Sequence, residues 1–166
     1  MDIQDRQFLT FKLADEQYGL AVLQVREVLE IPRITKVPRM PNFMKGVINI
    51  RGSVVPVIDL RLKLGLAEVE RSVHSRVVII EIKTGLDEII VGILVDSVQE
   101  VVEIIQTNIV PAPQIGTTIE SAFISGIATV EQGFIIIVNI DHVFDNQEMI
   151  KIAGSAESTA VLAAEN

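Results

Sequence analysis

The chain of 166 residues lacks cysteine and tryptophan and has only one tyrosine and two histidines. Without cysteine it can form neither a disulfide nor a thiolate zinc site. No run of about 18 consecutive apolar residues occurs, so we expect no membrane-spanning segment. The first residues, MDIQDRQFLTF, also lack the apolar stretch of a signal peptide. These absences predict a cytoplasmic protein.

Groups able to perform catalysis are equally scarce. The two histidines, His74 and His142, are separated in sequence and predicted to be surface residues. Phosphate-binding loops, nucleophile elbows and metal-binding motifs do not occur. The one enzymatic alternative is a pair of carboxylates among Asp59, Asp96 and Asp141, which end apolar strands. At such positions a helix cap or a turn is the ordinary role. We therefore expect no enzymatic activity, no metal and no cofactor.

The net charge of −8 argues against nucleic acid as a partner. The charge is uneven, because residues 1–72 hold 11 basic and 9 acidic residues whereas residues 73–166 hold 3 basic and 13 acidic residues. Opposite charge in the two halves either orients a protein partner or serves only solubility. The sequence leaves both interpretations open.

Valine and isoleucine dominate the apolar residues, which favours a mostly β fold. Apolar patterning predicts strands over 7–13, 17–22, 47–50, 54–58, 76–83, 89–95, 100–105, 127–130 and 134–140. Residues 24–31 fit either a helical turn or a strand. Short helices are predicted over 42–45, with Gly46 as its C-terminal cap, over Leu60–Leu64 after Asp59, and over 142–151 at the end.

The chain repeats itself. Residues 18–31 match residues 91–104 at an offset of 73, and residues 46–60 match residues 126–140 at an offset of 80. The longer offset predicts an insertion in a loop around 112–125. Short strands with frequent turns favour two small antiparallel barrels over a parallel sheet with helices.

These segments resemble the CheW family of chemotaxis coupling proteins. The resemblance is carried by the stretch from Phe11 to Ile31, by KGVINIRGSVVPVIDLRLKLG at 45–65, by VGILVDSVQEVVEI at 91–104, by PAP at 111–113 and by GFIIIVNIDHVF at 133–144. It extends over residues 7–151. Each segment alone is a weak β pattern, but all of them in this order are specific.

The resemblance implies two five-stranded, SH3-like β-barrel subdomains with short helices and a C-terminal helix. They would form a single domain over 1–152, with barrels at about 7–72 and 73–152 between which terminal strands can be exchanged. Residues 153–166 would form a flexible tail.

The resemblance also implies an adaptor without catalysis. Its partners would be the regulatory domain of the histidine kinase CheA and the cytoplasmic tip of chemoreceptors. The protein would be monomeric when free, would not insert into the membrane, and would be recruited from the cytoplasm to membrane-associated receptor arrays.

Residue roles are carried over where the motifs match. Positions linked with receptor binding are Val25, Glu27, Asn49 and Arg51, and Val98 and Val101 of the second half are expected to contribute. Positions linked with kinase contact or its support are Thr35, Gly46 and Val47.

Several of these residues also have a purely structural interpretation: Val25 and Val47 as core, and Asn49 as a hydrogen-bond partner of its own hairpin. Glu27 and Arg51 interrupt apolar runs, and we predict that they form an ion pair that orients the receptor surface rather than stabilising the fold. Glu27 is repeated as Glu100, but Arg51 is replaced by Glu131. The receptor site is therefore predicted to lie chiefly in the first half.

Two related functions remain open at this stage. The chain fits equally a coupling protein of another chemosensory pathway, such as one that controls surface motility. It also fits the coupling domain of a longer protein with a receiver domain.

Overall fold

The structure, a computed structural model, describes residues 7–84, 87–111, 123–131, 133–144, 148, 151, 152 and 154. The strands are β1 (Gln7–Leu13), β2 (Glu16–Ala21), β3 (Val25–Glu30), β4 (Met44–Ile50), β5 (Ser53–Asp59), β6 (Arg76–Thr84), β7 (Asp87–Val95), β8 (Ser97–Glu103), β9 (Ile109–Val110), β10 (Ile124–Val130) and β11 (Gly133–Val138). One short α-helix, α1 (Leu60–Lys63), follows β5, and 3₁₀ turns span Val22–Gln24, Gln106–Asn108 and Ile140–His142. The protein is therefore mostly β, as predicted.

The strands form two sheets. A six-stranded sheet has the order β8-β1-β2-β11-β10-β9, and a five-stranded sheet has the order β3-β6-β7-β5-β4. Neighbouring strands are antiparallel except at two places, where β11 pairs with β2 and β5 pairs with β7 in parallel. Each sheet contains strands from both halves of the chain.

The internal repeat is visible in this order. The hairpin β1–β2 of one sheet takes the place of β6–β7 in the other, β8 that of β3, and β11–β10 that of β5–β4. The strand β9, which pairs with β10, corresponds to an isolated bridge between Thr35 and Val47 beside β4. The two sheets therefore differ mainly at this edge, where the six-stranded sheet has the strand β9 and the five-stranded sheet has only a single bridge.

The prediction of two closed five-stranded barrels is wrong in its details. One sheet has six strands, and no closed barrel is present among the described residues. Strand periodicity reports which side chains face inward, but it does not report whether the first and last strands of a sheet exchange hydrogen bonds. In the five-stranded sheet a side-chain contact, the ion pair of Arg51 and Glu27, joins the two edges in place of a hydrogen-bond ladder.

Local predictions fare differently along the chain. The 24–31 ambiguity resolves into a 3₁₀ turn followed by β3, and Asp59 caps α1 by accepting from the backbone N–H groups of Arg61 and Leu62. No helix forms over 42–45, where β4 instead begins at Met44. Most of the predicted loop at 112–125 and of the tail at 153–166 lies outside the described residues, as does half of the predicted closing helix at 142–151.

The buried apolar side chains form three cores. The largest includes Phe11, Leu20, Ile58 and Ile93, so strands of both sheets contribute to it. A smaller core around Val57 and its neighbours belongs to the five-stranded sheet, and another around Phe8, Ala128 and Ile135 belongs to the six-stranded sheet. Each sheet thus has one face on its own small core and one on the shared core.

A partly buried ion pair links the shared core to the turns around it. Arg61 of α1 is 9% exposed and donates through Nη1 to Asp96 Oδ2 at 2.6 Å and through Nε to the Ala67 carbonyl at 2.8 Å. The same Asp96 oxygen accepts from the backbone N–H of Ala14 at 2.7 Å. Asp96 therefore joins α1, the β1–β2 turn and the β7–β8 turn. This structural role explains the presence of one of the three carboxylates that were considered for catalysis.

The other two carboxylates also have structural partners. Burial raises the pKa of Asp59, while its hydrogen bonds from the Leu62 and Arg61 N–H groups and the nearby Lys45 act in the opposite direction. Asp141 accepts from Gln24 Nε2 at 3.2 Å and from the Lys83 N–H at 3.3 Å. Each of the three positions is thus explained by the fold.

We predict that Asp96→Ala lowers the free energy of unfolding by about 2–4 kcal/mol, because it leaves the buried Arg61 guanidinium without its carboxylate. Asp96→Asn keeps an acceptor for the Ala14 N–H and is expected to cost less. Urea denaturation followed by circular dichroism measures both values. Equal stability of the Asp96→Ala variant and the wild type would contradict the assigned role.

Candidate functional site

The hairpin between β4 and β5 presents an arginine at its tip. Ile50 pairs with Ser53, so Arg51 and Gly52 form a two-residue loop, with φ of 49° and 89°. Positive φ at both positions is the geometry whose twist matches that of the flanking strands. Asn49 Oδ1 accepts from the Gly52 N–H at 2.9 Å and fixes the loop. This bond is the local role that the sequence allowed for Asn49.

Arg51 forms the predicted ion pair with Glu27. Its Nη2 donates to Glu27 Oε2 at 2.6 Å, and the pair raises the pKa of Arg51. Glu27 lies on β3 and Arg51 follows β4, and these strands are the two opposite edges of the five-stranded sheet. The pair therefore connects edges that no backbone hydrogen bond joins, and it lies at the surface, with side chains 27% and 76% exposed.

The ion pair lies at the rim of a cleft of about 640 Å³. The apolar lining is formed by Ile50, Val54, Val55, Pro56, Ile79, Ile89 and Ile90, and the charged lining by Arg26, Glu27, Arg51 and Glu88. Such a cleft, with both apolar and charged side chains in its lining, is suited to contact an apolar side chain of a protein partner while the charges fix its orientation.

A second ion pair of this rim was missed by sequence reasoning. Arg26 Nη2 donates to Glu81 Oε1 at 2.9 Å, which links β3 to β6. A hydrogen bond between Glu81 and Glu88 lowers the pKa of Glu81 and raises the pKa of Glu88. The available signal was the interruption of apolar strands by Arg26 and Glu81, the same signal that identified Glu27 and Arg51.

The predicted apolar receptor positions lie outside this cleft. Val25 at the start of β3 and Val98 on β8 are partly buried and pack against the same shared core. Val101 is 55% exposed on β8, the edge strand of the six-stranded sheet. The structure therefore brings Glu27, Asn49 and Arg51 together, whereas Val98 and Val101 belong to the edge of the other sheet.

The three predicted kinase positions form one structural unit. Thr35 and Val47 exchange two backbone hydrogen bonds of 2.8 Å each. Gly46 lies at a bulge in β4 with φ of 140°, and a Cβ there would approach the Thr35 carbonyl carbon to 2.8 Å and its oxygen more closely still. Val47 is buried at 4% exposure, whereas Thr35 is exposed.

The prediction that Gly46 is a helix cap is consequently wrong. A glycine followed by an apolar strand fits both a cap and a bulge, and only the approach of Thr35 from a distant part of the chain decides between them. Its role is to let the segment around Thr35 lie against β4 as an additional edge.

The equivalent cleft of the second half has a different charge. It has a volume of about 260 Å³, and its lining includes Glu100, Glu103 and Glu131 but no lysine or arginine. Glu131 occupies the turn position of Arg51, so an ion pair like that of Glu27 and Arg51 is not formed there. The two halves therefore differ in charge at this turn, and the location of the receptor site chiefly in the first half stays a prediction.

Neither a metal centre nor a membrane span is found in the part of the chain that the structure describes. There, no three histidine or acidic side chains are grouped so that they could hold a metal ion. No helix of this part is long and apolar enough to cross a membrane.

We predict that Gly46→Ala lowers the free energy of unfolding by about 2–4 kcal/mol, because the new Cβ overlaps the Thr35 carbonyl and is strained at positive φ. Gly133→Ala is the matched control, since Gly133 has φ of 126° but open space around its Cβ. It is expected to cost only the strain, about 1–2 kcal/mol. Equal losses in urea denaturation would show that the Thr35 contact does not constrain Gly46.

We further predict that Arg51→Ala leaves the urea midpoint of unfolding unchanged, because an exposed ion pair is screened by solvent. Asn49→Ala, which removes the bond to the Gly52 N–H, is expected to lower the midpoint, corresponding to a loss of about 1 kcal/mol in the free energy of unfolding. A loss for Arg51→Ala as large as that for Asn49→Ala would mean that the ion pair is needed for folding.

Comparison with known proteins places this architecture in one family. The family model described as CheW-like domain matches residues 7–148. The chemotaxis protein CheW of Klebsiella aerogenes is 33% identical over 153 residues, which are 92% of this chain and 90% of that protein. The chemotaxis protein CheW of Rhizobium meliloti is 30% identical over 143 residues, covering 86% of this chain and 90% of that protein.

A solved structure agrees with the sequence comparisons. The crystal structure of the scaffolding protein TtCheW from Thermoanaerobacter tengcongensis superimposes with a TM-score of 0.76 at 38% identity, over 87% of this chain and 95% of that chain. The chain therefore belongs to the CheW-like domain family of non-catalytic chemotaxis scaffold proteins.

Proposed function

We propose that this protein couples chemoreceptors to the histidine kinase CheA by binding both at once in a ternary signalling array. It acts in the cytoplasm as a monomer when free and is recruited to membrane-associated arrays through the receptors. The functional unit is the single CheW-like domain over residues 1–152. The observation that supports this proposal most directly is that the exposed Glu27–Arg51 pair and the exposed Thr35 edge are distinct parts of the five-stranded sheet.

The receptor-binding group is centred on the Glu27–Arg51 pair. The pair is exposed, contributes little to stability, and borders a cleft with an apolar lining. Such a pair serves recognition better than folding, because its charges are fixed in position before the partner arrives. A helical receptor tip presents apolar side chains in a row with charged residues beside them, which fits a charged rim around an apolar cleft.

The apolar receptor positions extend the proposed contact beyond the cleft. Val25 and Val98 come from edge strands of different sheets and pack on the shared core. Val101, three residues after Val98 on β8, is exposed. We place the receptor helix so that it contacts the Glu27–Arg51 pair and reaches toward β8.

The kinase-binding group is the edge formed by Thr35 on β4. Thr35 is exposed, while the buried Val47 and the glycine at position 46 hold it in place. Thr35 is thus the residue of the three that can contact the kinase, and Gly46 and Val47 support it. A partner with a similar small β domain can pack end to end on such an edge.

The proposal is tested by a pull-down with purified CheA regulatory domain and a receptor signalling fragment, separately and together. Arg51→Ala is expected to weaken receptor binding about tenfold or more, as a hot-spot truncation does, and to leave kinase binding unchanged. Glu131→Ala, at the equivalent turn of the second half, is the control and is expected to leave both unchanged.

Two outcomes would contradict the proposal. Failure of the wild type to bind either partner at low and at moderate salt would mean that the fold is retained without the coupling function. Undiminished receptor binding by Arg51→Ala would leave the adaptor role standing and move the receptor site away from the Glu27–Arg51 pair.

A further inference from the structure

Lys63 joins Glu148, in the C-terminal part of the domain, to the end of α1, which follows β5 of the five-stranded sheet. Lys63 Nζ, at the end of α1, donates to both carboxylate oxygens of Glu148 at 2.9 and 2.7 Å. The same ammonium lies 5.0 Å from the ring centroid of Phe43 and 5.7 Å from that of Phe144. The two rings are 5.8 Å apart and tilted by 35°. Lys63 is therefore held by one carboxylate and two aromatic rings.

This cluster is largely withdrawn from solvent. The side chains of Lys63 and Glu148 are 19% and 20% exposed, and Phe43 and Phe144 are buried at 7% and 6% exposure. A cation over aromatic rings gains more when water is partly excluded, and a short contact to a carboxylate adds to it. The interaction is thus stronger than the surface pairs elsewhere on the molecule.

Phe43 connects the cluster to the proposed kinase edge. Its carbonyl accepts from the Asp59 N–H at 2.7 Å, and Met44 begins β4 directly after it. Two and three residues beyond Met44 are Gly46 and Val47, which hold Thr35. Displacement of the Phe43 ring therefore moves the start of the strand on which the Thr35 edge is built.

We propose that Lys63 is a positioning residue for kinase binding. By holding Phe144 and Glu148 against Phe43, it fixes the start of β4 and thereby the geometry of the Thr35–Val47 bridge. The inference rests on the proposed function, because it takes the Thr35 edge as the kinase surface. It adds that the C-terminal part of the domain controls this edge without contacting the kinase.

The surroundings of residue 63 call for a positive charge on a long side chain. A methionine at position 63 has a similar length and can pack on both rings, but it cannot bind the Glu148 carboxylate. An arginine keeps the positive charge, the stacking on rings and the bond to a carboxylate. Lys63→Met and Lys63→Arg therefore separate the effect of the charge from that of the packing.

The binding test measures the affinity of both variants for the CheA regulatory domain and for the receptor fragment. Lys63→Met is expected to weaken kinase binding about fivefold while receptor binding stays within about twofold. Lys63→Arg is expected to bind the kinase domain as the wild type does. Lys12→Met is the matched control, since Lys12 lies on β1 of the six-stranded sheet, and it is expected to change neither affinity.

Hydrogen exchange gives a second readout that needs no partner. In Lys63→Met the protection of the Thr35 and Val47 amides is expected to fall about tenfold, because their mutual bonds open more often. The amides of Val78 and Ile93, in the central strands, are expected to keep their protection.

The two measurements distinguish the possible failures. Unchanged kinase affinity and unchanged exchange at Thr35 and Val47 in Lys63→Met would overturn the inference. Equal losses of kinase and receptor affinity would also overturn it, because they indicate general destabilisation. If the wild type fails to bind the kinase domain, the proposed function fails, and the exchange measurement still decides whether Lys63 positions β4.

Discussion

The rest of the structure depends on the apolar core shared by the two sheets. Its members come from β1, β2, β4, β5, β6, β7 and β11, so strands on both sides of the internal repeat must be present before it can form. Burial of apolar surface is the dominant favourable term in folding, and this core holds the largest buried side chains, such as Phe11 and Ile58. Because each sheet also takes strands from both halves, neither half retains its sheet without the other. The repeat in the sequence therefore does not correspond to two independent folding units.

Ion pairs at the border of this core link segments that the apolar contacts do not join. Asp96 and Arg61 join three turns around the shared core, Lys63 attaches Glu148 to α1, and Glu27 with Arg51 connects the two edges of the five-stranded sheet. Their expected contributions follow their exposure. The Arg61–Asp96 pair is mostly buried and its loss leaves a buried charge, whereas the Glu27–Arg51 pair is screened by solvent. The first is expected to contribute to stability, and the second is the pair proposed to contact the receptor.

The two proposed binding groups both include residues of β4 in the five-stranded sheet, Val47 in one and Asn49 in the other. The Thr35 edge lies beside β4, and Arg51 follows the same strand in the hairpin with β5. Gly46 and Val47, which support the Thr35 edge, come early in β4, whereas Arg51 follows the end of the strand. The Lys63 cluster includes Phe43, which directly precedes β4, at the end opposite to Arg51. A change at the start of the strand is therefore expected to affect the Thr35 edge more than the Arg51 loop.

Much of the local structure could be predicted from the sequence. Alternating valine and isoleucine residues determined which segments are strands, and Asp59 indicated the cap of α1, because both depend on residues close together in the chain. The Glu27–Arg51 pair was also predictable, since both charges interrupt apolar strands that must lie in one sheet. The matches between the halves predicted that the two sheets share a plan.

Only the tertiary structure decided which strands are neighbours and how the sheets end. The parallel contacts of β2 with β11 and of β5 with β7, the exchange of strands between the halves, and the absence of barrel closure among the described strands all depend on contacts between distant segments. Gly46 shows the reason at a single residue. Its local sequence allows a cap or a bulge, and the carbonyl of Thr35, approaching from outside the strand, determines that it is a bulge. The sequence by itself determined the strands and their charged interruptions, and the packing of distant strands determined the surfaces that they form.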